Sequence, residues 1–125
     1  MSAKPKAPKW IWICGQVVEL KFVKNPVDDA GEPKLGSYTA SKNRIEVKRD
    51  MDPEVQRVTV VHELLHVLWY LTGASTVLEG IRCGAYKKAD HASAQEVLTV
   101  VLEPGLWMLL TGNPDLVAWL NPPPE

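Results

Sequence analysis

The sequence has few cysteines, almost no net charge and no long apolar run. Cys14 and Cys83 form no Cys-x-x-Cys pair that would suggest a zinc knuckle, and we expect both to be reduced, buried thiols. A formal net charge of −1 over 125 residues argues against duplex nucleic acid as a partner. No segment approaches the roughly 18 apolar residues that cross a bilayer. These absences predict a cytoplasmic protein with neither a membrane span nor a nucleic-acid partner.

The length and composition of the chain predict one globular domain. Hydrophobic residues make up 46% of the sequence and charged residues 23%, proportions typical of a folded protein. We therefore expect residues 1–125 to form a single domain. Lysines among alanine and proline in residues 1–9, and the Pro-Pro-Pro-Glu end at residues 122–125, predict flexible tails. The apolar run after residue 9 is interrupted by Gly15 and Gln16 and lacks the cleavage site of a signal peptide.

The N-terminal part of the chain predicts a small β-sheet. Three segments combine β-branched or aromatic residues with partial alternation, and they cover residues 16–23, 35–40 and 44–48. In the last segment, Ile45 and Val47 alternate with charged residues, so one face of that strand is wet. We therefore expect residues 44–48 to form an exposed edge of the sheet.

A long helix is predicted after the sheet. Asp52 is a good N-cap residue and Pro53 suits the first helical position. Gly73 is a natural stop, so the helix covers about residues 53–72. Its apolar residues occupy most of the helix circumference, which predicts a central, buried helix.

The C-terminal part predicts an irregular connection and shorter helices. Residues 73–92 contain three glycines and a polar cluster, which predicts a loop of unusual length. We expect a helix to begin at Ser93, to kink or break at Pro104, and to resume over residues 106–111, ahead of a short last helix. The tryptophans of these segments, Trp107 and Trp119, are expected in the core. The predicted fold class is α+β, with a three-stranded sheet packed on the central helix and on a following C-terminal helix.

The predicted central helix carries the string His-Glu-x-x-His at His62, Glu63 and His66. Residues four apart lie on one helix face, so both imidazoles can reach one zinc ion, Zn²⁺. Glu63 borders that site, where a general base takes a proton from water. The alternative is one buried histidine bonded to a backbone carbonyl plus a surface Glu–His pair. The string arises by chance in on the order of one such chain in a few hundred, so the metal interpretation is preferred.

A catalytic zinc ion needs a third protein ligand. Trp69 and Thr72 stand where the metzincin extension requires glycine and histidine, which excludes that class. The downstream candidates are Glu79, Asp90, His91, Glu96 and Glu103. Glu96 lies on the next predicted helix and suits a zincin whose third ligand is a glutamate. Its alternative role is structural, because Ser93 and Glu96 have capping-box spacing.

Two further residues are candidates for binding the substrate carbonyl. His91 is either the third ligand or a side chain that polarises this carbonyl. Tyr86 could hydrogen-bond the developing oxyanion, although a half-buried loop tyrosine is the simpler interpretation. We therefore predict Glu63, His91 and Tyr86 as catalytic residues and His62, His66 and Glu96 as metal ligands.

Several segments together resemble small phage and prophage zincin-like metallopeptidases and, more distantly, the ImmA-type peptidases that cleave phage repressors. The segments are Gly-Ser-Tyr-Thr at 36–39, Arg-Ile-Glu-Val at 44–47, Val-His-Glu-Leu-Leu-His at 61–66, Gln-Glu-Val at 95–97, Pro-Gly-Leu at 104–106 and Asn-Pro-Asp-Leu at 113–116. The resemblance covers about residues 35–121. It implies a minimal gluzincin in a bacterial or phage-infected cell, with His62, His66 and Glu96 on the metal and Glu63 as the base. The paired acids common in that family are here Gln95 and Glu96.

Two functions are compatible with these residues. The first is a zinc metallopeptidase that hydrolyses a protein or peptide substrate. The second is a zinc-binding interaction module of phage origin, which docks a partner protein without cleaving it. A zinc nucleobase deaminase is excluded, because the sequence has neither the His-x-Glu nor the Pro-Cys-x-x-Cys signature.

Overall fold

The computed structural model describes residues 4–82 and 91–124, with the side chains of residues 81, 82 and 91–93 excepted. The fold is α+β, as predicted. The strands are β1 (Trp10–Ile13), β2 (Gln16–Val23), β3 (Gly36–Thr39) and β4 (Arg44–Lys48), with a 3₁₀ turn at Ala40–Lys42. The helices are α1 (Pro53–Leu71), α2 (Ala74–Arg82), α3 (His91–Gly112) and α4 (Pro114–Leu120). Among these helices, none combines the length and hydropathy that crossing a bilayer requires.

The sheet has four strands, so the expectation of three was wrong. Its order is β1-β2-β4-β3, in which β2 and β4 run parallel and the other two pairs are antiparallel. The additional strand, β1, forms a hairpin with β2 through a turn at Cys14 and Gly15, whose φ values are 49° and 77°. Positive φ at both turn positions is the geometry that matches the twist of a tight hairpin.

Strand β4 is internal, so the prediction that residues 44–48 form the sheet edge was also wrong. Ile45 pairs with Leu20 of β2 on one side and with Tyr38 of β3 on the other. Ile45 and Val47 are fully buried. The alternation that suggested an edge is the alternation between the two faces of a central strand, and β3 forms the edge instead.

Helix α1 begins as predicted. The Asp52 carboxylate accepts a hydrogen bond from the backbone N–H of Glu54 at 2.9 Å, and Pro53 is the first helical residue. The face that meets the sheet is buried and apolar, and it includes Val60, Leu64, Val67 and Leu68. Val58 and Leu65 on the other side are exposed. The helix is therefore half-buried against the sheet, and the expectation of burial all round was wrong.

The region predicted as a long loop contains helix α2, and α3 is continuous through Pro104, so of the two predicted outcomes the break was wrong. A Cβ atom at Gly105 would lie only 2.8 Å from Cγ2 of Thr72 and 3.0 Å from Cδ2 of Leu68. Glycine thus allows α3 to pack closely on the end of α1, and this packing holds the helix together past the proline. Trp119 is buried as expected, whereas Trp107 is 69% exposed and lies outside the core.

One buried amide joins the first strand to the last two helices. Oδ1 of Asn113 accepts a hydrogen bond from the backbone N–H of Trp12 at 2.7 Å. Its Nδ2 donates to the carbonyls of Trp12 at 2.7 Å and Leu109 at 2.9 Å. Asn113 therefore fixes β1 against the junction of α3 and α4.

Replacing this amide should destabilise the protein strongly. We expect Asn113→Ala to lower the free energy of unfolding by about 3 kcal/mol. The substitution removes three hydrogen bonds and leaves the backbone groups of Trp12 and Leu109 without the amide that they bond. Urea denaturation measures the difference. The exposed Asn25 offers a control, and Asn25→Ala should change stability by less than about 0.5 kcal/mol. Equal effects of the two substitutions would contradict the structural role of Asn113.

Candidate metal centre

One open cavity of about 500 Å³ contains the predicted motif residues. Helix α1 supplies His62, Glu63 and His66 to its wall. The loop before β3 supplies Asp28, Asp29 and Lys34, strand β3 supplies Gly36, Ser37 and Tyr38, and the turn after it supplies Ala40. Tyr70 of α1 adds a second aromatic ring. The cavity therefore lies where the motif helix crosses the edge strand β3.

The two motif histidines converge on one point. Their Nε2 atoms are 3.2 Å apart, and the ring centroids are separated by 4.8 Å with planes at 75°. Two nitrogens at that spacing subtend an angle of about 100° at an ion bonded to both at about 2.05 Å, close to the tetrahedral value of about 109°. Both rings are exposed, so neither is the one buried, backbone-bonded histidine of the alternative interpretation. The pair fits a zinc ion.

Glu63 is buried beside the pair. Its side chain is 8% exposed, and Oε1 lies 4.0 Å from Nε2 of His62. Within the described part of the chain, the Glu63 carboxylate has no hydrogen-bond donor. Burial raises the pKa of the Glu63 carboxyl, and the neighbouring His66 and His62 oppose that rise. A carboxylate with a raised pKa is a better proton acceptor than a solvated one, as a general base requires.

The backbone of β3 contacts Glu63 directly. A Cβ atom at Gly36 would lie 3.2 Å from Cγ of Glu63 and 2.6 Å from Cγ2 of Thr59. Only glycine leaves room for α1 to pack so closely on the edge strand. This contact holds the Glu63 side chain against the cavity wall.

The remaining predicted residues lie elsewhere or outside the described residues. His62, Glu63 and His66 form a three-residue group whose ligand atoms lie within 4.8 Å of one another, and this group does not include Glu96. Glu96 is exposed on α3. Tyr86 and the side chain of His91 lie outside the described residues. The third ligand therefore stays a prediction.

The alternative role of Glu96 as half of a capping box was wrong. That role requires Ser93 to be the N-cap residue of its helix. Helix α3 already includes His91, so Ser93 lies inside the helix rather than at its cap. Glu96 therefore does not form a capping box with Ser93 at the start of α3.

Two tyrosines of the cavity were not predicted. Tyr70 follows His66 by one helical turn, so the spacing of 62, 66 and 70 could have identified it. Tyr38 comes from β3, and its ring meets that of Tyr70 edge-on, with centroids 6.2 Å apart. The pairing of β3 with α1 is a tertiary contact that sequence spacing does not encode.

Comparison with protein-family models, with curated proteins and with solved structures found no match to this chain. Its function therefore has to be inferred from the site. The site combines two converging imidazoles with a buried carboxylate, and this group could hold a metal ion at the wall of an open cavity.

Proposed function

We propose that the protein is a zinc-dependent peptidase with a minimal zincin-like arrangement of the motif helix and the edge strand. The observation that carries this proposal is the 3.2 Å approach of the His62 and His66 Nε2 atoms beside the buried Glu63. Structural zinc sites are closed by four protein ligands, whereas catalytic sites keep an open position. The exposure of both rings to a cavity favours the catalytic kind.

The chain offers the ligands that zinc prefers. His62 and His66 would bind the ion through Nε2, and we propose Glu96 as the third ligand, with His91 as the alternative. Bound zinc would supply a Lewis acid that polarises a carbonyl and makes water acidic. The exposed position of Glu96 on α3 leaves its carboxylate free of the capping role.

Glu63 would carry the proton. Its carboxylate accepts a proton from the attacking water and returns it to the leaving nitrogen when the peptide bond breaks. In the metal-free protein, burial raises the pKa of the Glu63 carboxyl and so makes the carboxylate a stronger base than a solvated one. The contact with Gly36 limits the positions that the carboxylate can take.

An extended peptide would bind along β3. This strand is at the end of the sheet order, and Gly36, Ser37 and Tyr38 line the same cavity as the histidines. A peptide that adds to a sheet edge pairs through its backbone and so accepts many sequences. The edge at β3 replaces the one expected at residues 44–48, which is internal.

A second function is favoured by a different surface. A groove of about 410 Å³ on α3 is lined mainly by Leu102, Leu106, Trp107 and Leu110. An exposed tryptophan beside leucines is the composition of a protein-binding site. The alternative is therefore a zinc-binding module that docks a partner through α3 without cleaving it.

Peptide cleavage separates the two functions. We expect zinc-loaded protein to hydrolyse members of a random peptide library, and 1,10-phenanthroline to stop the reaction because it removes the ion. Mass spectrometry of the products measures cleavage, and protein pre-treated with chelator and then resupplied with zinc is the control. Absence of any chelator-sensitive product would exclude the peptidase and leave the docking module.

A further inference from the structure

Tyr38 lies beside the motif residues but has no part in the mechanism described so far. It follows Gly36 by two residues in β3, so the two side-chain positions share one face of the strand. That face meets α1, because Gly36 abuts Glu63 and the Tyr38 ring contacts Tyr70. Tyr38 also lines the cavity together with His62 and His66. Tyr38 thus belongs to the same cavity as the proposed reaction site.

The Tyr38 hydroxyl is buried without a hydrogen bond. Its oxygen is shielded from solvent and, within residues 4–82 and 91–124, has no hydrogen-bond partner. Burying a hydroxyl in this way costs free energy, and such groups are rare in folded proteins. A phenylalanine would make the same edge-on contact with Tyr70 without that cost. Among the described residues the hydroxyl has no hydrogen-bond partner, which leaves it available to a group that binds in the cavity.

We propose that Tyr38 is a catalytic residue of the peptidase, and that its hydroxyl donates a hydrogen bond to the substrate carbonyl oxygen. That oxygen gains negative charge as water attacks the carbonyl carbon, and a fixed donor stabilises the charge. The assignment rests on the proposed peptidase function. It gives Tyr38 the task that the sequence suggested for Tyr86 or His91.

The chemistry of the hydroxyl suits a donor. Burial raises the pKa of Tyr38, and the nearby Tyr70 raises it further. The hydroxyl therefore keeps its proton at neutral pH and well into the alkaline range. A neutral hydroxyl can hydrogen-bond the neutral carbonyl oxygen of the bound substrate. This hydrogen bond becomes stronger as negative charge develops on that oxygen.

Access of the substrate to the buried hydroxyl would require a side chain to move, and Tyr70 is an exposed neighbour of the Tyr38 ring. The ring of Tyr70, 59% exposed, meets the Tyr38 ring edge-on at a centroid distance of 6.2 Å. Exposed side chains change rotamer within nanoseconds, so this movement does not limit binding. The rearrangement would exchange a contact with Tyr70 for a contact with the substrate.

The test compares Tyr38→Phe with Tyr70→Phe, a matched loss of one hydroxyl in the same cavity. For Tyr38→Phe we expect metal-free protein to melt at the same temperature as wild type or higher, because no hydrogen bond is lost. Zinc affinity should stay unchanged. Acetohydroxamate, whose oxygens bind zinc and accept hydrogen bonds, should bind the zinc-loaded variant about 10-fold more weakly. For peptides, kcat should fall by about 100-fold with little change in KM. Tyr70→Phe should match wild type in melting temperature and in zinc affinity.

Three results would overturn the assignment. A lower melting temperature for metal-free Tyr38→Phe would show that the hydroxyl has a structural partner. Unchanged acetohydroxamate binding and kcat would show that the hydroxyl has no task. A lower kcat with unchanged acetohydroxamate binding would indicate that the hydroxyl donates its hydrogen bond to Glu63 and not to the substrate. If wild type binds acetohydroxamate but cleaves no peptide, the peptidase proposal fails, while the binding comparison still decides what Tyr38 contacts.

Discussion

Glu63→Gln should lower kcat by about 1,000-fold and leave the zinc content of the protein unchanged. Glutamine has the size and shape of glutamate but cannot accept a proton, so the substitution removes only the base. Glu63 is buried and close to the histidines without being bonded to them, so the amide leaves the ligand geometry intact. Steady-state kinetics on a peptide substrate and metal analysis of the same preparation give the two readouts.

An exposed acid on the same helix provides the control for this substitution. Glu54 forms an ion pair with Arg57 at 3.0 Å on the first turn of α1 and lies outside the cavity. Glu54→Gln makes the same chemical change and should leave kcat within about twofold of wild type. If Glu63→Gln released zinc, Glu63 would be a ligand or a support for one, and if activity survived, another group would be the base.

His66→Ala should weaken zinc binding by more than about 100-fold. Loss of a group that merely supports a ligand already costs about 10- to 100-fold, so loss of a ligand costs more. The His66 ring is exposed, so the fold should survive its removal with a stability change below about 0.5 kcal/mol. Competition with a fluorescent zinc chelator measures the affinity, and circular dichroism confirms that the variant is folded.

The same assay identifies the third ligand. Glu96→Gln and His91→Ala each remove one of the two predicted donors. We expect the large loss of affinity with Glu96→Gln and a small effect with His91→Ala. The reverse result would assign His91 to the metal, and wild-type affinity in both variants would mean that neither side chain binds the ion. Retention of tight zinc binding by His66→Ala itself would contradict the metal site as a whole.

The parts of the fold that depend on local sequence could be predicted. Asp52 and Pro53 determine the start of α1, because capping and the fixed φ of proline act within one turn. The convergence of His62 and His66 follows from helical spacing once the helix is known. The burial of Glu63 does not follow in this way, because it depends on the approach of β3.

The order of the strands could not be predicted, because it depends on contacts between distant segments. Strand β1 was missed for a physical reason. Its burial alternates perfectly, with Ile11 and Ile13 inside and Trp10 and Trp12 outside, but all four residues are apolar. Hydrophobicity alone therefore conceals the period of two that identifies a strand. With β1 and β3 at the two ends of the sheet, β4 becomes internal.

The helical region shows how packing overrides residue preference. Pro104 predicts a kink or a break, and α3 stays continuous while Gly105 lets it pack on Leu68 of α1 and on Thr72, the residue that caps α1. The sequence around Trp107 and Trp119 carries no local signal that tells the exposed tryptophan from the buried one. Trp119 is buried against the ring of Phe22, with centroids 6.1 Å apart, whereas Trp107 faces outward. Phe22 comes from a remote part of the chain, so the burial of Trp119 depends on a tertiary contact.

The Asn113 bridge has a consequence for the time at which the protein can mature on the ribosome. The partners of this bridge, Trp12 and Asn113, are 101 positions apart, so Asn113 must leave the exit tunnel long after Trp12 before the two can meet. Contacts between such distant positions close a long loop and slow the acquisition of native structure. Until then the first hairpin exposes Ile11 and Ile13, the side chains that later enter the core. Late closure of this bridge therefore prolongs the time in which these apolar side chains are open to non-native contacts.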